Sequence, residues 1–199
     1  MKELAGKVIL ITGAGKGNGR TLAKAFAEQG AFVAANDISP INVEEVVDEI
    51  TAQGGRSKAY IEDVAKKLGA QNIIKQVEDE FGRIDILINH ASVEPHVALL
   101  DMDEWDWHRV LDVNLTGVFL MTQSVGRVMR AQGSGMIINL ITKNQVSGKD
   151  EAAFVASMLG LVGFTRQAAN ELSPHGIQVH AVETGTDVVE NVLALLEEK

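Results

Sequence analysis

The chain has 199 residues, 46% of them hydrophobic and 23% charged, with a formal net charge of −9. That is the length of one domain with a substantial core, and its acidic balance excludes a broad nucleic-acid or anionic-membrane surface, which needs a basic footprint. The absence of cysteine excludes disulfides and thiolate chemistry. A local anion site stays open, because backbone N–H groups hold phosphate without net positive charge.

The first apolar run, KVILIT (7–12), reads as a buried strand. Its core, Val8 to Ile11, is too short for a signal-peptide core or a bilayer span, so a cytoplasmic protein with no membrane partner is expected. TGAGKGNG (12–19) follows, then a helix over 19–30 with Leu22 and Phe26 at helical spacing and Gly30 as a stop. FVAAND (32–37) is a second strand and 41–54 a second helix. The pattern repeats with a strand at 57–63, a helix at 66–81, a strand at 84–89 and a long helical region over roughly 103–131. A strand at 135–141, a helix at 151–172, a strand at 177–182 and a helix at 187–197 complete the chain.

Apolar strands alternating with helices predict βαβ units. The fold class is therefore α/β: a single doubly wound, Rossmann-type domain over 1–199, with a mostly parallel sheet of about six strands and helices on both faces.

The glycine loop lies between the first strand and the first helix, where such a sheet binds a nucleotide. Glycines permit a tight turn and a close approach of N–H groups to a pyrophosphate, and the helix adds its positive end. The spacing fits neither G-x-G-x-x-G nor a P-loop. Asp37 ends the second strand about 20 residues beyond the loop, where a carboxylate accepts hydrogen bonds from both ribose hydroxyls of NAD and repels the extra phosphate of NADP. It also suits the start of the next helix as a cap.

The loop does fit T-G-x-x-x-G-x-G, through Thr12, Gly13, Gly17 and Gly19, and so resembles the short-chain dehydrogenase/reductase family. The resemblance extends over about residues 4–183. ILINHAS (86–92) is similar to the family's N-N-A-G strand end, with Asn89 and Ala91 matching and His90 and Ser92 departing. EDV (62–64) resembles the family's adenine-contacting pair, here Asp63 and Val64. The family's asparagine-bearing helix is matched by 103–120, with Asn114 at that position, and 177–185 resembles its P-G strand, with Thr184 in place of proline. The resemblance implies a dinucleotide held by Thr12, Gly13, Gly15, Lys16, Gly17, Asn18, Gly19, Asp37, Asp63, Val64, Asn89, His90 and Ala91. Asp37 favours NAD, and Lys16, a loop position associated with NADP in the family, is the counter-signal.

The family's chemistry needs a tyrosine to move a proton and a lysine four residues later to favour its phenolate. Here Asn114 is retained and Thr142 replaces a serine, but Phe154 and Met158 stand at the tyrosine and lysine positions. GLVGFT (160–165) resembles the family's continuation and fixes that register. The one tyrosine, Tyr60, belongs to the third strand and has Val64 four residues later. Phe154 and Met158 suit an apolar core face. Loss of a positioned acid–base pair costs about 10²–10⁴ in rate.

Two functions follow: an NAD-binding pseudoenzyme or regulatory module, or an NAD-dependent oxidoreductase with a substitute acid such as His90 or Lys143. His96, Lys149, Asp150 and Glu151 are further proton donors by type. A third reading is a fold remnant that binds no nucleotide. The histidines show no metal-ligand spacing. After the sixth strand the chain enters one short helix, capped by Thr186 or Asp187, so the family's substrate lid and seventh strand are expected to be absent. The apolar character of 151–168 predicts burial on more than one side: against the sheet, and either against a second subunit, giving homo-oligomerisation through helices 103–131 and 151–171, or under the chain's own 103–131 helix.

Overall fold

A strand whose every residue is apolar or hydroxylated and which carries no alternation belongs at the centre of a sheet covered on both faces. β1 (Val8–Thr12) is buried at all five positions. In the computed structural model, which describes residues 4–142 and 150–197, it pairs with β2 (Phe32–Asp37) on one side and β4 (Ile86–Asn89) on the other. β3 (Arg56–Ile61) flanks β2 at one edge; β5 (Gly135–Thr142) and β6 (Ile177–Thr184) extend the other. The order is β3-β2-β1-β4-β5-β6, and every pairing is parallel.

The helices divide between the faces. α1 (Gly17–Glu28), α2 (Pro40–Ala52) and α7 (Val188–Glu197) share one core, in which Leu22, Phe26, Val46, Ile50 and Val192 are buried. α3 (Lys67–Phe81), α5 (Val118–Gln132) and α6 (Ala152–Leu172) cover the other face with Ile73, Val77, Met121, Val125 and Ala168. Chain order reverses direction across the sheet between β1 and β4, which opens a crevice beyond the strands' carboxyl ends.

Several element boundaries differ from the sequence reading. α1 starts at Gly17, two residues early, because the glycine turn leads straight into it. β3 stops at Ile61, and Asp63 instead closes a turn by accepting from the Ala65 N–H at 2.9 Å. The long helical region is not continuous: α4 (Glu104–Leu111) passes through a π-helical segment, Asp112–Gly117, before α5. Such a widened turn is a local bulge that pattern reading cannot see. α6 is buried along one face only, at Ala153, Phe154, Ser157, Met158, Leu161, Thr165 and Ala168, while Leu159 is exposed. The stretch Ala152–His175 is long and apolar enough by length and composition to cross a bilayer, yet here that helix lies along β5 and β6.

At the opposite end of the strands, Asp85 anchors the entry to β4. It accepts from the Val8 N–H at 2.9 Å and pairs with Lys7 and Arg83. Burial alone would raise its pKa, but Arg83, the Val8 N–H and Lys7 outweigh burial and hold it below the usual carboxylate range.

Candidate functional site

The crevice holds a cleft of about 740 Å³. Gly13, Lys16, Asp37, Asp63, Val64, His90 and Ala91 line it, from four separate segments of chain. The structure thus gathers most of the binding residues read from the sequence into one place.

The turn after β1 depends on glycine for two reasons. Gly13 and Gly17 take φ values of 65° and 53°, which disfavour any side chain. Gly19, at ordinary φ, is packed too closely for one: a Cβ there would overlap the Gly13 carbonyl oxygen and stand 2.6 Å from His90 Nδ1. Thr12 fastens β4 to this turn, its Oγ1 accepting from the His90 N–H at 3.1 Å and the Ala91 N–H at 3.2 Å. Lys16, at the N-cap of α1, supplies no side-chain cap. The first N–H groups of α1, at Gly17, Asn18 and Gly19, are thereby left for an outside acceptor, which is the arrangement a phosphate needs.

Asp37 is fixed rather than free. Its Oδ2 accepts from the Gly15 N–H and its Oδ1 from the Ser39 N–H, both at 2.9 Å. Ser39, not Asp37, caps α2. A Cβ on Gly15 would come within 2.8 Å of Asp37 Oδ2, so the glycine lets the carboxylate close over the loop.

His90 occupies the position where the family resemblance expects a second asparagine. Its ring lies 3.0 Å from the Gly13 carbonyl oxygen, which only accepts, so Nδ1 carries the proton. Burial lowers its pKa, against the Gly13 carbonyl and Asp37, which favour the cation. The neutral imidazole is therefore a structural clip on the glycine turn, with a lone pair on Nε2.

The residues tied to proton transfer do not share this arrangement. Asn114, Thr142, Phe154 and Met158 do not line the cleft. Asn114 is buried in the π-helical segment with its amide fully engaged: Oδ1 accepts from the Val93 N–H at 2.8 Å, and Nδ2 donates to the Val93 carbonyl at 3.0 Å and to Ser157 Oγ at 3.1 Å. Asn89 Nδ2 donates to Asn139 Oδ1 at 2.8 Å, tying β4 to β5. Phe154 and Met158 are buried with Val110, Val118, Ile141, Ala153 and Leu161 in a small apolar cluster of their own. Tyr60 is remote and buried in β3, its hydroxyl 3.3 Å from Glu80 Oε2, and burial followed by that carboxylate raises its pKa. Lys143 and Lys149 lie outside the described residues.

Some of the cleft wall escapes sequence reading. Lys66, Trp105, His108, Arg109 and Asp112 also line the cleft, and Arg109 stacks over the Trp105 ring at 5.2 Å. The matched stretch 103–120 singles out only Asn114, and these side chains reach the cleft only because α4 and the start of α3 converge on it in the tertiary fold. Asn36 did leave a signal, as a polar residue inside the apolar run FVAAND. It is buried and donates to the carbonyls of Tyr60 at 2.9 Å and Glu62 at 3.0 Å, which steers the chain toward Asp63. Two of the five histidines, unremarkable in sequence, lie beside carboxylates: His108 Nε2 is 3.3 Å from Glu104, and His96 Nδ1 3.4 Å from Glu151.

Known proteins match both chain and fold. A family model described as short chain dehydrogenase matches residues 7–194. A 3-oxoacyl-(acyl-carrier-protein) reductase of Synechocystis sp. is 40% identical over 199 residues, covering 98% of this chain and 81% of that protein. A metagenomic short-chain oxidoreductase solved in complex with NADP superposes with a TM-score of 0.91 at 30% identity, over 98% of this chain and 91% of its own. An NAD⁺-bound xylitol dehydrogenase superposes with a TM-score of 0.86 at 30% identity, over 97% of this chain and 76% of its own.

Proposed function

The chain belongs to the short chain dehydrogenase family of oxidoreductases, and from that premise we propose that it binds NAD(H) and performs little of the family's usual carbonyl and alcohol chemistry. A dinucleotide supplies or accepts hydride when bound. The residues that would hold it are the N–H groups of the glycine turn and α1 for the pyrophosphate, Asp37 for the adenosine ribose, and Asp63 with Val64 beside the base. The observation that carries the reading is a contrast within the molecule: a built cleft with convergent polar groups beside two proton-transfer positions filled by buried Phe154 and Met158. Neither side chain offers a proton or a stabilising cation.

The preference for NAD over NADP rests on Asp37, clamped by two N–H donors where a ribose 2′-phosphate would meet it. Lys16 and Lys66 line the same cleft and oppose that preference, but each is a flexible, hydrated cation. The absence of cysteine suits a reducing compartment such as the cytoplasm. The exposed Phe119 and Leu159, on α5 and α6, support pairing of two copies through that face.

Trp105 lines the cleft and reports on its contents. Titration with NADH is expected to quench tryptophan fluorescence saturably well below about 1 mM. No quenching up to that concentration would leave the chain as a fold that binds no nucleotide.

A further inference from the structure

Three potential metal ligands that are scattered in sequence come together at one corner of the fold. Glu94 and His96 follow the segment that leaves β4, and Glu151 lies at the N-cap of α6. One carboxylate oxygen from each glutamate and one imidazole nitrogen all lie within 4.8 Å of one another. The two segments are tied by a backbone hydrogen bond, from the Val97 N–H to the Asp150 carbonyl at 2.8 Å. The geometry points to a binding site for one divalent cation of the zinc type, held by Glu94, His96 and Glu151.

Two features favour a cation over a plain ion pair. A tetrahedral ion with ligands at about 2.1 Å requires neighbouring donors about 3.4 Å apart. His96 Nδ1 and Glu151 Oε1 are already 3.4 Å apart. Glu94 completes the set by turning inward from an exposed position, which costs little beyond its own rotamer freedom. In addition, two carboxylates and one imidazole bring more negative charge together than one histidine can balance. Among the described residues no lysine or arginine pairs with either glutamate. One nitrogen and two oxygen donors suit zinc and similar borderline ions, and three protein ligands leave a coordination position open.

The location gives the site its interest. Glu94 follows Val93, which lines the cleft, packs against the Phe154 cluster and is held by Asn114. Glu151 stands three residues before Phe154. The cation would therefore sit at the rim next to the apolar plug, and the site does not depend on whether a dinucleotide binds.

The test is calorimetric titration of Zn²⁺ into the untagged full chain. The expected result is one equivalent bound, with His96→Ala and Glu151→Gln each weakening affinity at least about tenfold. His108→Ala, which removes the separate pair with Glu104 on α4, is expected to leave affinity unchanged. Glu94 is exposed, so Glu94→Gln serves as the variant that cannot fail by misfolding, and it is expected to weaken binding as well. Absence of saturable binding up to about 1 mM Zn²⁺ would overturn the assignment. So would binding that is indifferent to both His96→Ala and Glu94→Gln, or that is lost with His108→Ala instead.

Discussion

The glycine turn and the start of α6 are two ends of the fold built from opposite materials. At the glycine turn, backbone N–H groups, a clamped carboxylate and a buried imidazole hold a polar surface open toward the cleft. At the start of α6, Phe154 and Met158 pack with Val110, Ile141 and Leu161 and present no polar group. The first is held in place by hydrogen bonds that need glycine to form; the second packs apolar volume around a buried hydrogen bond, from Asn114 to Ser157. On the proposed reading, dinucleotide binding would rest on the first unit and proton transfer on the second, so that one could be lost while the other persists.

Independent units should fail independently, which makes mutation the way to break the contrast. The largest effect is expected from Phe154→Ala: removing a buried aromatic ring should cost about 3–5 kcal/mol in urea unfolding. NADH affinity of the protein that remains folded should stay within about twofold, since Phe154 does not line the cleft. Gly19→Ala should do the reverse. Its Cβ would overlap the Gly13 carbonyl and press on His90, so a loss of about 1–3 kcal/mol in stability is expected. NADH binding measured by Trp105 quenching should fall at least about tenfold with it. If Phe154→Ala abolished NADH binding while Gly19→Ala spared it, the two ends would not be separate.

Smaller changes sharpen the polar end. Asp37→Ala removes the carboxylate that would meet a 2′-phosphate, so the ratio of NADPH to NADH affinity should rise by about tenfold. An unchanged ratio would mean that Lys16 and Lys66 set the preference. The smallest effect belongs to His90. Burial depresses its folded pKa below the ordinary value of 6.5. Above that value both folded and unfolded chains hold a neutral imidazole. As pH falls through it, the unfolded chain takes up a proton that the folded chain refuses, so stability drops until the lower folded pKa is reached. Urea midpoints at about pH 7.5 and about pH 5.5 should differ less in His90→Asn than in the unsubstituted protein.

Sequence and structure agree where a residue's role is local. The apolar runs at 7–12 and 32–37 specify buried parallel strands, and glycine spacing specifies a turn whose φ values and close approaches require it. Phe154 and Met158 are legible as core because they lie on the inward stripe of a helix. What stays hidden arises from long-range placement. The bulge at Asp112–Gly117 leaves no period in the sequence, yet it carries Asn114 to Val93. Arg109 and Lys66 reach the cleft only because α4 and the β3–α3 turn converge on it. Glu94 and Glu151, 57 positions apart by their numbers, meet at His96 for the same reason.

Turnover shows whether a bound dinucleotide meets a positioned acid. NADH consumption should be followed with a 3-oxoacyl thioester at an NADH concentration that saturates Trp105 quenching. The expected result is saturated binding with no consumption above the buffer rate. Turnover at about 1 s⁻¹ or faster, in the range of ordinary enzymes, would contradict it.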